Sequence, residues 1–142
     1  MELKKLDETF SVTPQVTPES IKQAAELGFA IVVNARPDGE EEGQPFSEEL
    51  AAAARENNIA YVHIPVLPGK VDAEHVAAFA DALDTVSGPA LGFCRTGTRA
   101  LHMWAMASVG RLSVADIIEK AAAAGYDLSD LEGRLQELAS AR

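Results

Sequence analysis

Residues 89–100 have the sequence PALGFCRTGTRA, and this stretch decides the class of fold. Its first five residues are a short, mainly apolar run after Gly88, which predicts a strand in the interior of a sheet. Apolar residues then recur at helical spacing from Leu101 to Ser108, which predicts a helix directly after the loop. A buried strand that leads straight into a helix is typical of a parallel sheet covered by helices.

The same alternation of strands and helices extends along the rest of the chain. A further strand, predicted to be an edge strand, occupies residues 9–13, and two further core strands are predicted at residues 29–33 and 59–64. Helix starts are indicated by capping residues and by one proline, and two of them have the pattern of a capping box. These starts lie at Pro18, Ser47 and Asp72 and, with capping boxes, at Ser113 and Ser129.

This order of elements predicts a single α/β domain over residues 1–142. We expect a mainly parallel sheet of four to five strands flanked by helices. The predicted core spans about residues 9–125, and residues 126–142 are predicted to form a C-terminal helical tail.

The composition limits the classes of function. The chain has 142 residues, a net charge of −10 and one cysteine, which excludes an intrachain disulfide. An acidic chain is not a general nucleic-acid binder, because phosphate backbones attract Lys and Arg. The sequence contains no apolar stretch long enough for a signal peptide or a membrane span, so we expect a cytoplasmic protein that binds no membrane. The histidines form no metal-ligand cluster, so neither a metal nor an organic cofactor is implied, and the oligomeric state is left open.

Cys94 is predicted to lie at the carboxyl end of the 89–93 strand, where open parallel sheets bind ligands. The next helix starts in the same loop, so its unpaired N–H groups and its macrodipole favour a thiolate and an incoming anion. Gly97 lets the backbone approach the anion closely, and Arg99 adds a charged, planar fork. We therefore predict that Cys94 and Arg99 are catalytic. The predicted anion-binding loop comprises Arg95, Thr96, Gly97, Thr98 and Arg99. The competing interpretation is a buried structural cysteine.

The spacing Cys-x-x-Gly-x-Arg resembles the active-site loop of rhodanese-type sulfurtransferases. A wider pattern resembles the phosphatase-like domain that occurs alone or fused in β-lactamase hydrolase-like proteins. The matching segments are NARPDGE at 34–40, YVHIPV at 61–66 and CRTGTR at 94–99. The resemblance implies a protein tyrosine phosphatase-like fold, similar to that of dual-specificity phosphatases. It also implies the stand-alone form, because the histidine cluster of the fused hydrolase is missing.

Three departures from the phosphatase pattern favour sulfur chemistry. The loop between the cysteine and the arginine of protein tyrosine phosphatases is one residue longer than the loop from Cys94 to Arg99. Those phosphatases place an acidic residue just after the Ile-Pro pair, whereas residues 66–69 contain none. They also have a histidine before the cysteine and a hydroxyl residue after the arginine, where this chain has Phe93 and Ala100.

We therefore predict a rhodanese-like sulfurtransferase that carries sulfane sulfur as a Cys94 persulfide, from a small anionic donor to an acceptor thiol. The first alternative is a phosphatase-like hydrolase that acts on small or protein phosphoesters through a phosphocysteine. The second alternative is a non-catalytic module that binds an anion or a partner through the same loop.

Five further residues are candidates for lining the pocket: Arg36, Asp38, His63, Asp72 and His102. Each has a competing structural interpretation. Arg36 and Asp38 suit a loop salt bridge or a turn, His63 a core histidine, Asp72 a helix N-cap, and His102 an exposed helix position. The acidic residues 40–42 are predicted to form a solvated loop.

Overall fold

The computed structural model describes residues 1–141, and its centre is a sheet of five strands. In chain order these are β1 (Lys4–Lys5), β2 (Phe10–Thr13), β3 (Ile31–Asn34), β4 (Ala60–His63) and β5 (Ala90–Phe93). Their order across the sheet is β1-β2-β5-β3-β4. The strands β2, β5, β3 and β4 are parallel, whereas β1 pairs antiparallel with β2.

The register places the carboxyl ends of the parallel strands level with one another. Phe93, at the end of β5, lies opposite Thr13 of β2 and Asn34 of β3, and Asn34 also lies opposite His63 of β4. The residues that follow these strands therefore share one edge of the sheet, which is the edge where parallel α/β folds bind ligands.

Helices cover both faces of this sheet. In chain order they are α1 (Pro18–Glu26), α2 (Ser47–Glu56), α3 (Ala73–Asp84), α4 (Thr98–Ala107), α5 (Val114–Ala123) and α6 (Glu132–Ser140). Each face has its own apolar cluster: α1 and α2 bury Ile21 and Leu50 on one face, and α3 to α6 bury side chains such as Phe79, Trp104 and Ile117 on the other. Side chains alternate across β5, so this strand contributes to both clusters.

The predicted fold class is confirmed: the chain is a single α/β domain with a mainly parallel sheet and a C-terminal helix. The core strands predicted at 29–33 and 89–93 correspond to β3 and β5. The N-cap predicted at Asp72 is present, because its carboxylate accepts hydrogen bonds from the N–H groups of Glu74 and His75.

Two assignments of strand position were wrong. The segment predicted as an edge strand forms β2, whose four residues are all buried between β1 and β5. The segment at 59–64, predicted as a core strand, forms β4 at the opposite edge, and its residues are exposed or half-buried. The segment at 9–13 was predicted as an edge strand because β1, which pairs with its outer side, was not predicted: two lysines give no apolar pattern that indicates a strand.

The C-terminal segment also differs in detail from the prediction. Ser129 is not the N-cap of a helix: it opens a 3₁₀ turn, Ser129–Leu131, and its N–H group donates to the carboxylate of Asp127. The α6 helix begins at Glu132, and Arg142 of the predicted tail lies outside the described residues. Leu6 and Leu135 are buried, so the apolar core extends beyond the predicted residues 9–125.

Among residues 1–141, no helix is both long enough and apolar enough to cross a membrane.

Candidate active site

Cys94 directly follows the central strand β5, and its side chain is buried. The backbone N–H group of Gly97 donates a hydrogen bond to Sγ of Cys94, with N and Sγ 3.1 Å apart. Gly97 has φ = +93°, a backbone conformation that residues with a Cβ atom rarely adopt. The glycine therefore lets the loop turn sharply enough to aim an amide at the sulfur just before α4 begins.

Arg99 lies in the first turn of α4, and its side chain is 9% exposed. Its two terminal nitrogens donate to the two carboxylate oxygens of Glu40 over 2.8 and 2.9 Å, and Nη1 also donates to the carbonyl oxygen of Val66 over 2.8 Å. The hydrogen bonds to Glu40 raise the pKa of Arg99 above its ordinary value, despite its burial, and the charge of Cys94 adds to this rise. The guanidinium group is thus held in one orientation beside the thiol.

Glu40 is the site residue that the sequence prediction missed. Residues 40–42 are all exposed, as predicted, but the Glu40 side chain itself is only 18% exposed and also accepts a hydrogen bond from Nε of Arg36 over 2.8 Å. The hydrogen bonds from Arg99, and then those from Arg36, lower the pKa of Glu40 to about 2. One sequence signal could have indicated this contact. Arg36 and Glu40 are four residues apart and follow a strand that ends at the same edge of the sheet as the strand before Cys94.

Arg36 is 2% exposed and is the second buried arginine of the site. Besides Glu40 it contacts Glu41, and its Nη1 donates to the side-chain oxygen of Gln15 over 2.9 Å. Nε2 of His63 donates to the backbone oxygen of Arg36 over 2.8 Å. His63 therefore supports the segment that carries Arg36 and Glu40 and does not itself line the cleft.

Three other candidates for the pocket lie elsewhere. Asp38 accepts a hydrogen bond from the N–H group of Ser47 at the start of α2, and Asp72 caps α3 as described above. His102 lies in α4, one turn beyond Arg99, where its burial lowers its pKa and favours the neutral imidazole. The prediction that these three residues line the pocket was wrong. The two carboxylates accept hydrogen bonds from N–H groups at the starts of helices α2 and α3, and His102 is not among the residues that line the cleft.

An open cleft of about 440 Å³ is lined by Arg36, Glu40, Glu41, Pro68, Arg95 and Arg99. Three guanidinium groups and two carboxylates meet here, so an otherwise acidic chain presents a locally cationic surface. Glu40 uses the end of the Arg99 guanidinium that carries the two terminal nitrogens. Nη1 also donates to the carbonyl oxygen of Val66, so an incoming anion would have to bind the guanidinium through Nε or share its terminal nitrogens with Glu40.

A metal centre is not indicated. Within the described part of the chain, no group of three or more His, Cys, Asp or Glu side chains is arranged to hold a metal ion. The groups that the structure brings together are a buried thiol, a loop amide and an oriented guanidinium.

Comparison with known proteins gives the same picture. The family described as "Beta-lactamase hydrolase-like protein, phosphatase-like domain" matches residues 2–111. A beta-lactamase hydrolase-like protein of Xylella fastidiosa is 32% identical over 130 residues, which cover 90% of this chain and 30% of the relative. The chain thus spans about a third of the length of that curated relative.

Solved structures share the fold. A candidate phosphatase of Neisseria meningitidis has a TM-score of 0.84 and 31% identity, with 97% of this chain and 99% of the other chain covered. P. aeruginosa TpbA in complex with pTyr has a TM-score of 0.66 and 18% identity, with 98% of this chain and 88% of the other chain covered. With its family match, its relatives and a protein tyrosine phosphatase-like fold, the chain belongs to the family of phosphatase-like domains of beta-lactamase hydrolase-like proteins.

Proposed function

We propose that this domain hydrolyses phosphoesters through a phosphocysteine at Cys94. The observation that carries the proposal is the geometry around Sγ: the Gly97 amide lies 3.1 Å from it, and the Arg99 guanidinium, which Glu40 orients, is close enough to interact with the charge of Cys94. Such an arrangement suits a thiolate that attacks a phosphorus atom while amides and a guanidinium hold the phosphoryl oxygens. The family to which the chain belongs supports the same chemistry.

The reaction has two displacement steps. In the first, the Cys94 thiolate attacks phosphorus, the S–P bond forms, and the P–O bond to the leaving group breaks. The leaving oxygen takes a proton from water. In the second, water attacks phosphorus, the S–P bond breaks, and inorganic phosphate leaves with the thiolate restored.

We infer the substrate class from the two carboxylates of the cleft, both of which contact a guanidinium group: Glu40 binds Arg99 and Arg36, and Glu41 contacts Nη2 of Arg36 over 3.4 Å. The pKa of Glu40 is about 2 because Arg99 and Arg36 donate to it, so this carboxylate is ionised at neutral pH. Residues 64–71 contain no acidic side chain, and the neighbouring Asp72 caps α3. Aryl phosphates are therefore the favoured substrates, since a phenolate leaves without the proton that an alkoxide requires.

The test uses an aryl phosphate and the intact mass of the protein. The wild type is expected to release the phenol and to gain about 80 mass units on Cys94, as covalent phosphocysteine requires. The Cys94→Ser variant is expected to do neither. Equal hydrolysis by the wild type and by Cys94→Ser would reject the proposal.

Sulfur transfer is the second candidate, and the short loop favours it. Four residues separate Cys94 from Arg99, as in the rhodanese-type loop, and the buried Ala100 offers no hydroxyl group next to the arginine. The Cys94 thiolate would attack the sulfane sulfur of thiosulfate, the S–S bond would break, and sulfite would leave. The persulfide would then pass its outer sulfur to an acceptor thiol.

Cyanide can replace the acceptor thiol and separates the two chemistries. A sulfurtransferase forms thiocyanate from thiosulfate and cyanide and gains about 32 mass units on Cys94. A phosphatase does not. If neither reaction depends on Cys94, the loop is an anion- or partner-binding site without turnover. Both reactions require a reduced thiol, which is why a cytoplasmic location is part of the proposal.

A further inference from the structure

Tyr126 contacts the anion-binding loop from the C-terminal part of the chain. It follows α5, its ring packs against the apolar cluster formed by α3 to α6, and its hydroxyl donates to the backbone oxygen of Thr96 over 3.1 Å. Burial raises the pKa of Tyr126, and the charge of Cys94 raises it further. This tyrosine therefore lies beside the loop and within the electrostatic range of the thiol.

The hydroxyl acts on the peptide group that contacts the sulfur. The carbonyl group of Thr96 and the N–H group of Gly97 belong to one planar peptide unit, and in a trans peptide they point in opposite directions. Tyr126 donates to the carbonyl end of this unit, and the N–H end donates to Sγ of Cys94. Fixing one end of a rigid plane fixes the direction of the other.

Polarisation adds to this mechanical effect. A carbonyl oxygen that accepts a hydrogen bond makes the N–H group of the same peptide a better donor, which is the cooperativity of hydrogen-bonded chains. A chain of two hydrogen bonds therefore connects the Tyr126 hydroxyl, through the Thr96–Gly97 peptide group, to Sγ of Cys94.

The space around Gly97 shows how closely the tyrosine approaches. A Cβ atom at position 97 would lie 2.7 Å from the hydroxyl oxygen of Tyr126 and 3.5 Å from the backbone oxygen of Thr13. The loop is thus enclosed between the end of β2 on one side and Tyr126 on the other. Little room is left for the peptide plane to rotate.

We infer that Tyr126 is a positioning residue, which holds the Thr96–Gly97 peptide so that its N–H group stabilises the Cys94 thiolate. The inference rests on the proposed use of Cys94 as a nucleophile, but not on the identity of the substrate. Tyr126 lies beyond residues 2–111, the part of the chain that the family description covers. The C-terminal helices would therefore contribute to the chemistry as well as to the core.

The test compares the alkylation of Cys94 by iodoacetamide in mild acid, at about pH 6, and in base, at about pH 9.5, where an ordinary thiol is ionised. The rate in base reports how easily the reagent reaches the thiol, and the ratio of the two rates reports how well the thiolate is stabilised. In Tyr126→Phe this ratio is expected to fall about three-fold, the effect of losing one ordinary hydrogen bond.

The chain offers a matched control, because it has two tyrosines. The hydroxyl of Tyr61 is also hydrogen-bonded, to Asn34 and Ser47, and its ring is half-buried, but the hydroxyl makes no hydrogen bond to residues 94–99. Tyr61→Phe removes the same atom, so its alkylation ratio should equal that of the wild type. Melting temperatures of both variants show whether they remain folded.

The outcomes separate this inference from the proposed function. An unchanged ratio in a folded Tyr126→Phe protein, or an equal fall in Tyr61→Phe, overturns the inference whatever the protein does to phosphoesters. A three-fold fall confined to Tyr126→Phe supports it, even if the wild type hydrolyses no aryl phosphate, because alkylation requires no turnover. If Tyr126→Phe unfolds, Gly97→Ala tests the same contact with Tyr126 intact: its Cβ atom would lie 2.7 Å from the hydroxyl oxygen, so the hydroxyl must move and the alkylation ratio should fall, whereas an unchanged ratio in a folded Gly97→Ala protein would refute the inference.

Discussion

Two loops of very different length meet at Arg99. The Cys94 loop, residues 94–97, connects β5 to α4, and the Glu40 loop, residues 35–46, connects β3 to α2. The short loop brings its key atoms together within a few residues, since the amide of Gly97 donates to the sulfur of Cys94, although Tyr126 also contacts it from outside. The long loop places its key carboxylate by contacts with other elements, since Glu40 binds an arginine 59 positions further along the chain.

The difference separates two ways of building a site. A strand end, a glycine with positive φ and a helix start define the Cys94 loop locally. The Glu40 loop contains Gly39 and Gly43, also with positive φ, which allow several turns but select none. Its conformation depends on two buried guanidinium groups that need a carboxylate partner. The following experiments measure how much each loop contributes.

The largest effect is expected for Cys94→Ser, in the Cys94 loop. Replacing the thiolate by a hydroxyl that remains protonated should reduce turnover of an aryl phosphate at least about a thousand-fold. Initial rates and the intact mass after incubation provide the measurement. A variant that retains more than a few per cent of wild-type activity would show that the Cys94 loop does not supply the nucleophile.

Arg99→Lys should have the next largest effect, because it changes the residue shared by both loops. A lysine keeps the charge but loses the planar fork, so it cannot bind Glu40 and an anion at the same time. Activity is expected to fall about a hundred-fold, and inorganic phosphate should no longer protect Cys94 from alkylation. Arg55→Lys, at an exposed position at the end of α2, is the control. Normal phosphate protection in Arg99→Lys would contradict the role given to the fork.

Glu40→Gln tests the Glu40 loop alone. The amide keeps the size of the side chain but offers Arg99 and Arg36 only one oxygen and no charge, so the orientation of Arg99 should loosen. We expect kcat to fall about ten-fold, or about 1.4 kcal/mol of transition-state stabilisation. Glu42→Gln removes an equal charge from an exposed position of the same loop. If the two variants behave alike, the contribution of Glu40 is only to the overall charge.

The smallest effect concerns stability in acid. The folded-state pKa of Glu40 is about 2, against an ordinary value of 4.5, because Arg99 and then Arg36 donate to it. Its contribution to the free energy of unfolding is therefore complete above pH 4.5 and is lost as the pH falls through about 2. Urea unfolding across this range should show a shallower decline for Glu40→Gln than for the wild type.

Asp7 provides the reference for this measurement. Despite its burial, hydrogen bonds from Thr9 and Arg111 hold the pKa of Asp7 below its usual value, so the wild type also loses stability in acid through a group remote from the cleft. Only the part of the decline that disappears in Glu40→Gln belongs to the Glu40 loop. If the free energy of unfolding falls equally steeply with pH in the wild type and in Glu40→Gln, the ion pairs of Glu40 with Arg99 and Arg36 do not stabilise the fold.

The sequence predicted those features that local patterns determine. The apolar runs at β3 and β5 predict interior strands, the aspartate at position 72 predicts an N-cap, and the spacing from Cys94 to Arg99 predicts the loop. Each signal lies within a few residues of the feature that it describes. Strand length, helix capping and a tight loop depend on propensities that short windows contain.

The features that the sequence did not predict depend on distant parts of the chain. The burial of β2 is due to Lys4–Lys5, which pair with it without an apolar pattern of their own. Glu40 and Tyr126 reach the Cys94 loop from other elements, and a run of glutamates or a lone tyrosine gives no local sign of such a contact. The prediction of sulfur transfer rested mainly on the short loop, which alone does not fix the identity of the anion, and the matching family and the solved structure from Neisseria meningitidis fit the phosphatase-like alternative better.

The order of strands has a consequence for when reactivity can arise during synthesis of the protein. β2 and β3 do not pair with each other, and each forms its hydrogen bonds with β5, which is the last strand to leave the ribosome. Until β5 is inserted, the chain consists of two separate pairs of strands, and the loop that carries Cys94 is not held between the ends of β2 and β3. The candidate site is therefore assembled by the same event that completes the sheet.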